Sequence, residues 1–415
     1  MRLRIHRGSH EIGGSCVEIS TPESKVLIDF GMPLDFESRS VEQQQGVLDR
    51  AKEWCRGVDA IFLSHAHADH YGLLDSLEVG TPIYATAETF AMLELDGIFG
   101  QDPTCHLTRH TLRSYEPMEV AGLRITAYPV DHSAFGASAL LVEYNGMRVL
   151  YSGDIRLHGV KGVLYKRLPQ DVDYLLLEGT NICRTQSLIS ERDVEAAFVE
   201  AFETHSEALH LVWCSSKNID RICAVVRACI RMGRELVVDP FVANVLDRVS
   251  RLNSKIPSVR SSRQLRIYFP RAATSRLLTL DRRGYIYSHR PRENRVSYAD
   301  IASAPHRYVM LVRPSLLDFL RCIDGCDICF TKSIWSGYWG DPEVAPFREW
   351  VESRCTLLDD IHSSGHADVE SLQHIVAHVR PRRLIPIHTD SPERYSELFA
   401  ESEILFAEDD EVVVL

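Results

Sequence analysis

The segment His65-Ala66-His67-Ala68-Asp69-His70 crowds three imidazoles and a carboxylate into six residues, directly after Ser64 and the apolar run 60–63. Such a run reads as a buried strand, and side chains alternate from face to face along a strand. Where the strand passes into a loop, His65 and His67 can turn to one side while Asp69 and His70 reach a second point a few ångströms away. One segment can thereby serve two adjacent cations. Imidazole nitrogens with carboxylate oxygens suit zinc best, while manganese and iron stay open on donor type alone.

Two cations need more donors than one loop supplies, including an acid to bridge them. Three further residues repeat the pattern of an apolar strand followed at once by a ligand type. His132 stands in Tyr128-Pro129-Val130-Asp131-His132-Ser133 after the strand-like run 123–127. Asp154 stands in Tyr151-Ser152-Gly153-Asp154 after 148–150, and His388 follows the apolar run 384–387. Each alone is as well explained by a structural role; together they point to one site at a sheet edge.

At 415 residues the chain exceeds what one core supports, so about two domains are expected. Up to about residue 182 short apolar strands alternate with turns and a few helical stretches. Beyond it, a helix at 194–205, a strand at 209–214, a helix at 220–232 and a strand at 235–239 imply a parallel α/β unit. Ser216 or Asn218 is placed to cap the second of those helices. After about residue 355 the chain returns to complete the first domain, with a helix opening at His366 and running through Val379.

Further acidic and histidine motifs fall into the same frame: Val26-Leu27-Ile28-Asp29-Phe30-Gly31, Leu177-Glu178-Gly179-Thr180, Ser364-Gly365-His366-Ala367 and Ile387-His388-Thr389-Asp390. With the His65–His70 segment, His132 and Asp154, they make the chain resemble metallo-β-lactamase-fold hydrolases, and more narrowly the ribonuclease J-like β-CASP nucleases. The resemblance covers most of the chain. It implies an α/β fold, an αββα sandwich with an inserted β-CASP α/β domain, divided as 1–182, 183–355 and 356–415. A further C-terminal domain found in full ribonuclease J is expected to be missing.

The resemblance also implies roles. Two divalent metal ions, Zn2+ or alternatively Mn2+, would be held by His65, His67, His132 and Asp154, and by Asp69, His70, Asp154 and His388. Asp69 would take the proton of the attacking water, and His366 would donate to the leaving oxygen or bind the scissile phosphate. Asp29 and Glu178 would orient imidazoles by accepting their outer N–H. Ser363 and Ser364, just ahead of the helix expected from His366, would offer substrate phosphate hydroxyls and free N–H groups. The implied activity is hydrolysis of single-stranded RNA, with DNA open. The alternatives are hydrolysis of a small-molecule ester, thioester or phosphodiester, and a non-catalytic assembly subunit, which would be expected to have lost metal ligands.

A net charge of −12 is unlike a general nucleic-acid binder. Its distribution is less discouraging, because residues 246–313 carry fifteen Lys and Arg against four Asp and Glu, a net +11 that leaves the remainder near −23. Arg248, Arg251, Lys255, Arg282, Arg283, Arg290, Arg292, Arg295, Arg307 and Arg313 are among these, with Tyr268, Phe269, Tyr285 and Tyr287 available to stack on bases. The eleven cysteines read as reduced thiols, the pair Cys326 and Cys329 lacking further zinc donors beside it. With neither an apolar leader nor a run of about 18 apolar residues, a cytoplasmic protein with no membrane partner is expected. Trp335, Tyr338 and Trp339 are read as core packing or as the interface of a homo-oligomer.

Overall fold

The computed structural model describes residues 1–99, 102–184, 188–280 and 294–415. The chain divides into two compact units. The described residues of Met1–Asp96, Gln101–Leu188 and Gly365–Leu415 make the first, and those of Gly97–Gly100 and Ile189–Ser364 the second. Among the described residues no helix is long and apolar enough to cross a membrane. None of the eleven cysteines is in a disulfide.

The first unit is built on two seven-stranded mixed sheets. In spatial order one runs Val412–Val414, Arg2–Arg7, Cys16–Ser20, Lys25–Ile28, Ala60–Phe62, Pro82–Thr86, Thr108–Leu112. The other runs Glu403–Ile404, Arg383–Ile387, Tyr174–Glu178, Met147–Tyr151, Ser138–Tyr144, Leu123–Pro129, Met118–Val120. Alternation sorts each strand between layers. Leu140 and Val142 join Leu3, Val17, Phe62 and Leu176 in the core between the sheets. Their neighbours Ala139 and Leu141 face the other way, onto Leu372, Ile375 and Val379 of the helix Val369–Val379. Strands buried on both faces must be largely apolar, which is why Tyr174–Glu178 reads Tyr-Leu-Leu-Leu before its terminal Glu178. With the helices Val41–Trp54 and Ala87–Asp96, whose Ala51 and Leu93 are buried, the unit is an αββα sandwich.

The second unit holds one sheet of six strands, all pairs parallel, in the order Leu265–Ile267, Glu235–Val238, Tyr308–Val312, Leu209–Trp213, Ile328–Lys332, Thr356–Leu357. Parallel neighbours require crossovers, and helices such as Glu191–Thr204, Ile219–Arg231 and Pro240–Leu252 supply them. Ser190, Asn218 and Asp239 cap these three helices, each accepting a backbone N–H of the first turn.

One reading of the basic segment is corrected here. Tyr268 is 1% exposed and packs on Phe319, so its ring belongs to the core and offers no stacking face. Phe269 lies under the Arg295 guanidinium at 4.9 Å. Arg282, Arg283, Tyr285, Tyr287, Arg290 and Arg292 lie outside the described residues. Trp339 packs on Trp213 and Phe330, whereas Trp335 is 60% and Tyr338 49% exposed.

Candidate metal centre

Each expected metal ligand stands just after the C-terminal end of a strand, on the loop that follows it or, for Asp69 and His70, on the short helix Ala68–Tyr71 beyond that loop, and strand direction makes those ends coincide. Lys25–Ile28 and Ala60–Phe62 run parallel, delivering Asp29 and the His65–His70 segment side by side. In the second sheet Met147–Tyr151, Tyr174–Glu178 and Arg383–Ile387 are parallel. Leu123–Pro129 is two antiparallel steps from Met147–Tyr151 and therefore points the same way. Asp154, Glu178, His388 and His132 thus arrive at one edge.

There the ligand atoms of His65, His67, His132 and Asp154 lie within 4.8 Å of one another, as do those of Asp69, His70, Asp154 and His388. Glu178, His366 and His388 form a third such group. Asp154 is central. Its Oδ2 lies 3.5 Å from His65 Nε2, 3.3 Å from His70 Nε2 and 3.7 Å from His132 Nε2, and its Oδ1 lies 3.8 Å from His388 Nε2. Asp69 Oδ2 lies 3.3 Å from His388 Nε2.

Both Asp154 oxygens and the Nε2 atoms of His65 and His70 are shielded from water and have no hydrogen-bond partner. Convergent, unsatisfied polar atoms in a folded interior are costly unless something completes their valence. Nitrogen and carboxylate donors in this number fit divalent metal ions. Burial pushes the imidazoles of His65 and His132 well below their ordinary range and His67 down to about 4, leaving neutral lone pairs. Burial opposes charge on His70 as well, but the carboxylates of Asp154, Asp29 and Asp69 outweigh it and hold that imidazole well above its ordinary range. Burial would raise Asp154, yet His388 and His70 overcome it and keep the carboxylate ionised.

Outer contacts aim these rings. His70 Nδ1 donates to Asp29 Oδ2 at 2.7 Å, and Asp29 also accepts from the Ser64 hydroxyl and N–H and the Tyr151 hydroxyl. His388 Nδ1 pairs with Thr180 Oγ1 at 2.8 Å, and His132 Nδ1 donates to the Gly365 carbonyl. With Nδ1 engaged, Nε2 of each is turned to the site. Asp131 is held by Arg156, whose Nε is 2.9 Å away, which anchors the peptide before His132. Backbone bonds clamp the motif loop: Ser15 N–H to Asp69 O, Phe30 N–H to His70 O and Met32 N–H to Ala68 O. Asp29 and His388 adopt φ of 59° and 54°, left-handed kinks that end their strands.

Glu178 accepts from the N–H groups of Thr180 and Ala367, and its Oε1 lies 3.4 Å from His366 Nδ1. Burial would lower the His366 imidazole, but Glu178 and Asp154 outweigh it and raise its pKa to about 9. His366 at 20% and Asp69 at 14% exposure face solvent, while Asp154 lies beneath at 2%.

One expected arrangement is not found. The helix begins at Val369, capped by Asp368, not at His366. Asp368 accepts the Ser371 N–H and so starts the helix at Val369, three residues after His366. Ser363 and Ser364 therefore lie in the preceding loop, away from a helix end. The Ser363 hydroxyl is 2% exposed with its residue and donates to the Ile189 carbonyl. Thr180, Ser64, Tyr151 and the Gly365 carbonyl were not singled out from sequence as contacts of the ligands. The first three sit within two residues of a motif residue or at the end of a ligand-bearing strand, which is the signal that could have found them.

Comparison with known proteins agrees with this geometry. Residues 25–210 match a model described as a beta-lactamase superfamily domain, and residues 350–403 one described as a Zn-dependent metallo-hydrolase RNA specificity domain. The second range contains both His366 and His388. An RNase J-like protein of Methanocaldococcus jannaschii is 29% identical over 43% of this chain and 42% of its own length. Ribonuclease J of Sinorhizobium meliloti is 26% identical over 81% of this chain and 58% of its own length. Ribonuclease J of Helicobacter pylori is 22% identical over 92% of this chain and 55% of its own. The chain spans about half the length of the curated relatives it matches. A crystal structure of a protein of unknown function from Enterococcus faecalis V583 shares the fold over 100% of this chain and 99% of that one, with a TM-score of 0.80 at 21% identity. Sandwich, parallel unit, motif set and relatives agree: the chain carries a beta-lactamase superfamily domain and a metallo-hydrolase RNA specificity domain, and over most of its length it is similar to ribonuclease J.

Proposed function

We propose that the protein is a metal-dependent ribonuclease that hydrolyses phosphodiester bonds of single-stranded RNA, with residues 183–355 as its inserted β-CASP domain. The observation that carries this is Asp154, a buried carboxylate with both oxygens free of hydrogen bonds, ringed by His65, His70, His132 and His388. His65, His67, His132 and Asp154 would hold one ion and Asp69, His70, Asp154 and His388 the other, with Asp154 shared. The preponderance of imidazole favours Zn2+ over Mn2+. Such a pair supplies hydroxide near neutral pH and neutralises charge on a phosphate.

The side chains divide the remaining work by position. Asp69, on the solvent side, is placed to accept the proton of the attacking water. His366, backed by Glu178, is placed to donate a proton to the leaving oxygen or to bind the scissile phosphate. Asp29 and Glu178 act as positioning residues through His70 and His366. The matched RNA specificity domain and the ribonuclease J relatives favour RNA over a small ester.

The test is cleavage of 5′-labelled single-stranded RNA and DNA by zinc- or manganese-loaded protein, beside a chelated sample and the Asp69→Ala, His70→Ala double variant. Metal-dependent cutting of RNA that the double variant loses is the expected result. Metal-loaded protein that leaves RNA intact while hydrolysing a small ester would overturn it.

A further inference from the structure

From Arg248 to Leu280 the chain carries Arg248, Arg251, Lys255, Arg260, Arg263, Arg266, Arg271 and Arg276 and not one Asp or Glu. The fold neutralises part of this excess with acids from outside the stretch. Asp247 takes Arg251 and Arg260, and Glu235 takes Arg266. Arg276 is spent on the Phe99 carbonyl and ring.

Lys255 and Arg263 are treated differently. Both are exposed, and neither has an acidic partner among the described residues. They line the same open groove of about 530 Å3 together with Ser254, Ser261, Ser262 and Gln264. The Ser261 and Ser262 hydroxyls are engaged with Ser258 and Gln264, so the two uncompensated cations are what make this surface attract anions. Among the described residues the groove is lined by no aromatic side chain, and its charged groups are cations suited to phosphate. Two such cations address the phosphodiester backbone, which carries the polymer's negative charge.

We propose that the groove around Lys255 and Arg263 binds the phosphate backbone of single-stranded RNA without regard to sequence. This rests on the ribonuclease reading and adds to it a place where the polymer is held. Two phosphate contacts to a single strand release about 0.7 counterion each, so losing both lowers the slope of log K against log salt by about 1.4. At 0.1 M salt that corresponds to binding weaker by roughly 25-fold.

Binding of a labelled 20-nucleotide RNA is measured in chelator, to prevent cutting, from 0.05 to 0.3 M salt. The proteins compared are the wild type, the Lys255→Ala, Arg263→Ala variant and the charge-retaining Lys255→Arg, Arg263→Lys variant. Cleavage by metal-loaded wild type is measured alongside, and thermal midpoints check folding. Weaker binding with the shallower slope in the alanine variant, equal for mixed-sequence and poly(U) RNA and restored in the charge-retaining variant, is the expected result. If the alanine variant binds with wild-type affinity and slope while the wild type cuts RNA, the groove assignment is overturned and the ribonuclease reading stands. If the wild type neither binds nor cuts RNA, both are overturned.

Discussion

His70 Nδ1 lies 2.7 Å from Asp29 Oδ2, both side chains fully buried, and this bond holds the ring whose Nε2 faces Asp154. Asp29→Asn keeps the shape and tolerates the left-handed backbone while removing the charge. Removing such an outer carboxylate is expected to weaken metal affinity about 10- to 100-fold. Metal titration against a chromophoric chelator checks it, and wild-type affinity would show that Asp29 does not tune the site.

His366→Asn is expected to lower kcat on RNA about 10²- to 10⁴-fold while metal content stays at the wild-type level. Atomic absorption alongside single-turnover cleavage separates the two readouts. Loss of metal in step with activity would instead make His366 a ligand, as its proximity to His388 and Glu178 allows.

A Cβ on Gly31 would lie 1.8 Å from the Asp69 carbonyl oxygen, inside contact distance of the clamped motif loop. Gly31→Ala must push that backbone away. The expected outcome is a folded protein of reduced thermal midpoint with impaired metal binding, whereas Gly46→Ala, where nothing lies within 4 Å, serves as a silent control.

Arg221 is 0% exposed and donates to Glu191, to the Ser333 hydroxyl and carbonyl, and to the Ser363 carbonyl. Arg221→Met removes the buried cation paired with Glu191, a change worth about 3–5 kcal/mol. Adding Glu191→Gln is expected to return part of that loss. Urea unfolding followed by tryptophan fluorescence would reveal strict additivity if the pair were not coupled.

Glu18 lies 3.1 Å from both His6 Nε2 and Lys25 Nζ. Burial would raise its carboxyl, but these partners outweigh it and bring the pKa down to about 2. A carboxyl lowered on folding stabilises above its unfolded pKa, and that stability drains away as pH falls through the folded value. Glu18→Gln should therefore cost roughly 2 kcal/mol at pH 7, a difference that shrinks between about pH 4.5 and pH 2. Melts across that range check it; a deficit independent of pH would assign the effect to packing.

Donor chemistry was legible in the chain because it is local. Metal-binding side chains are few in kind, and the strand that presents each one shows its own apolar run, so His65, His67, Asp69, His70, His132, Asp154 and His388 could be picked out by type and place. Their convergence could not be read in the same way, since Asp69 and His388 stand 319 residues apart and meet only through the parallel order of the strands. The same holds where neighbours compete for a group. Asp368 set the helix start at Val369, three residues past His366, and the Ser363 hydroxyl went to Ile189. Tyr268 was drawn into the core, and Asp247 and Glu235 neutralised some arginines of the basic segment while leaving Lys255 and Arg263 exposed. Composition sets how many charges and rings a segment carries; which remain available depends on burial and pairing with residues distant in sequence, and those are settled only when the chain has folded.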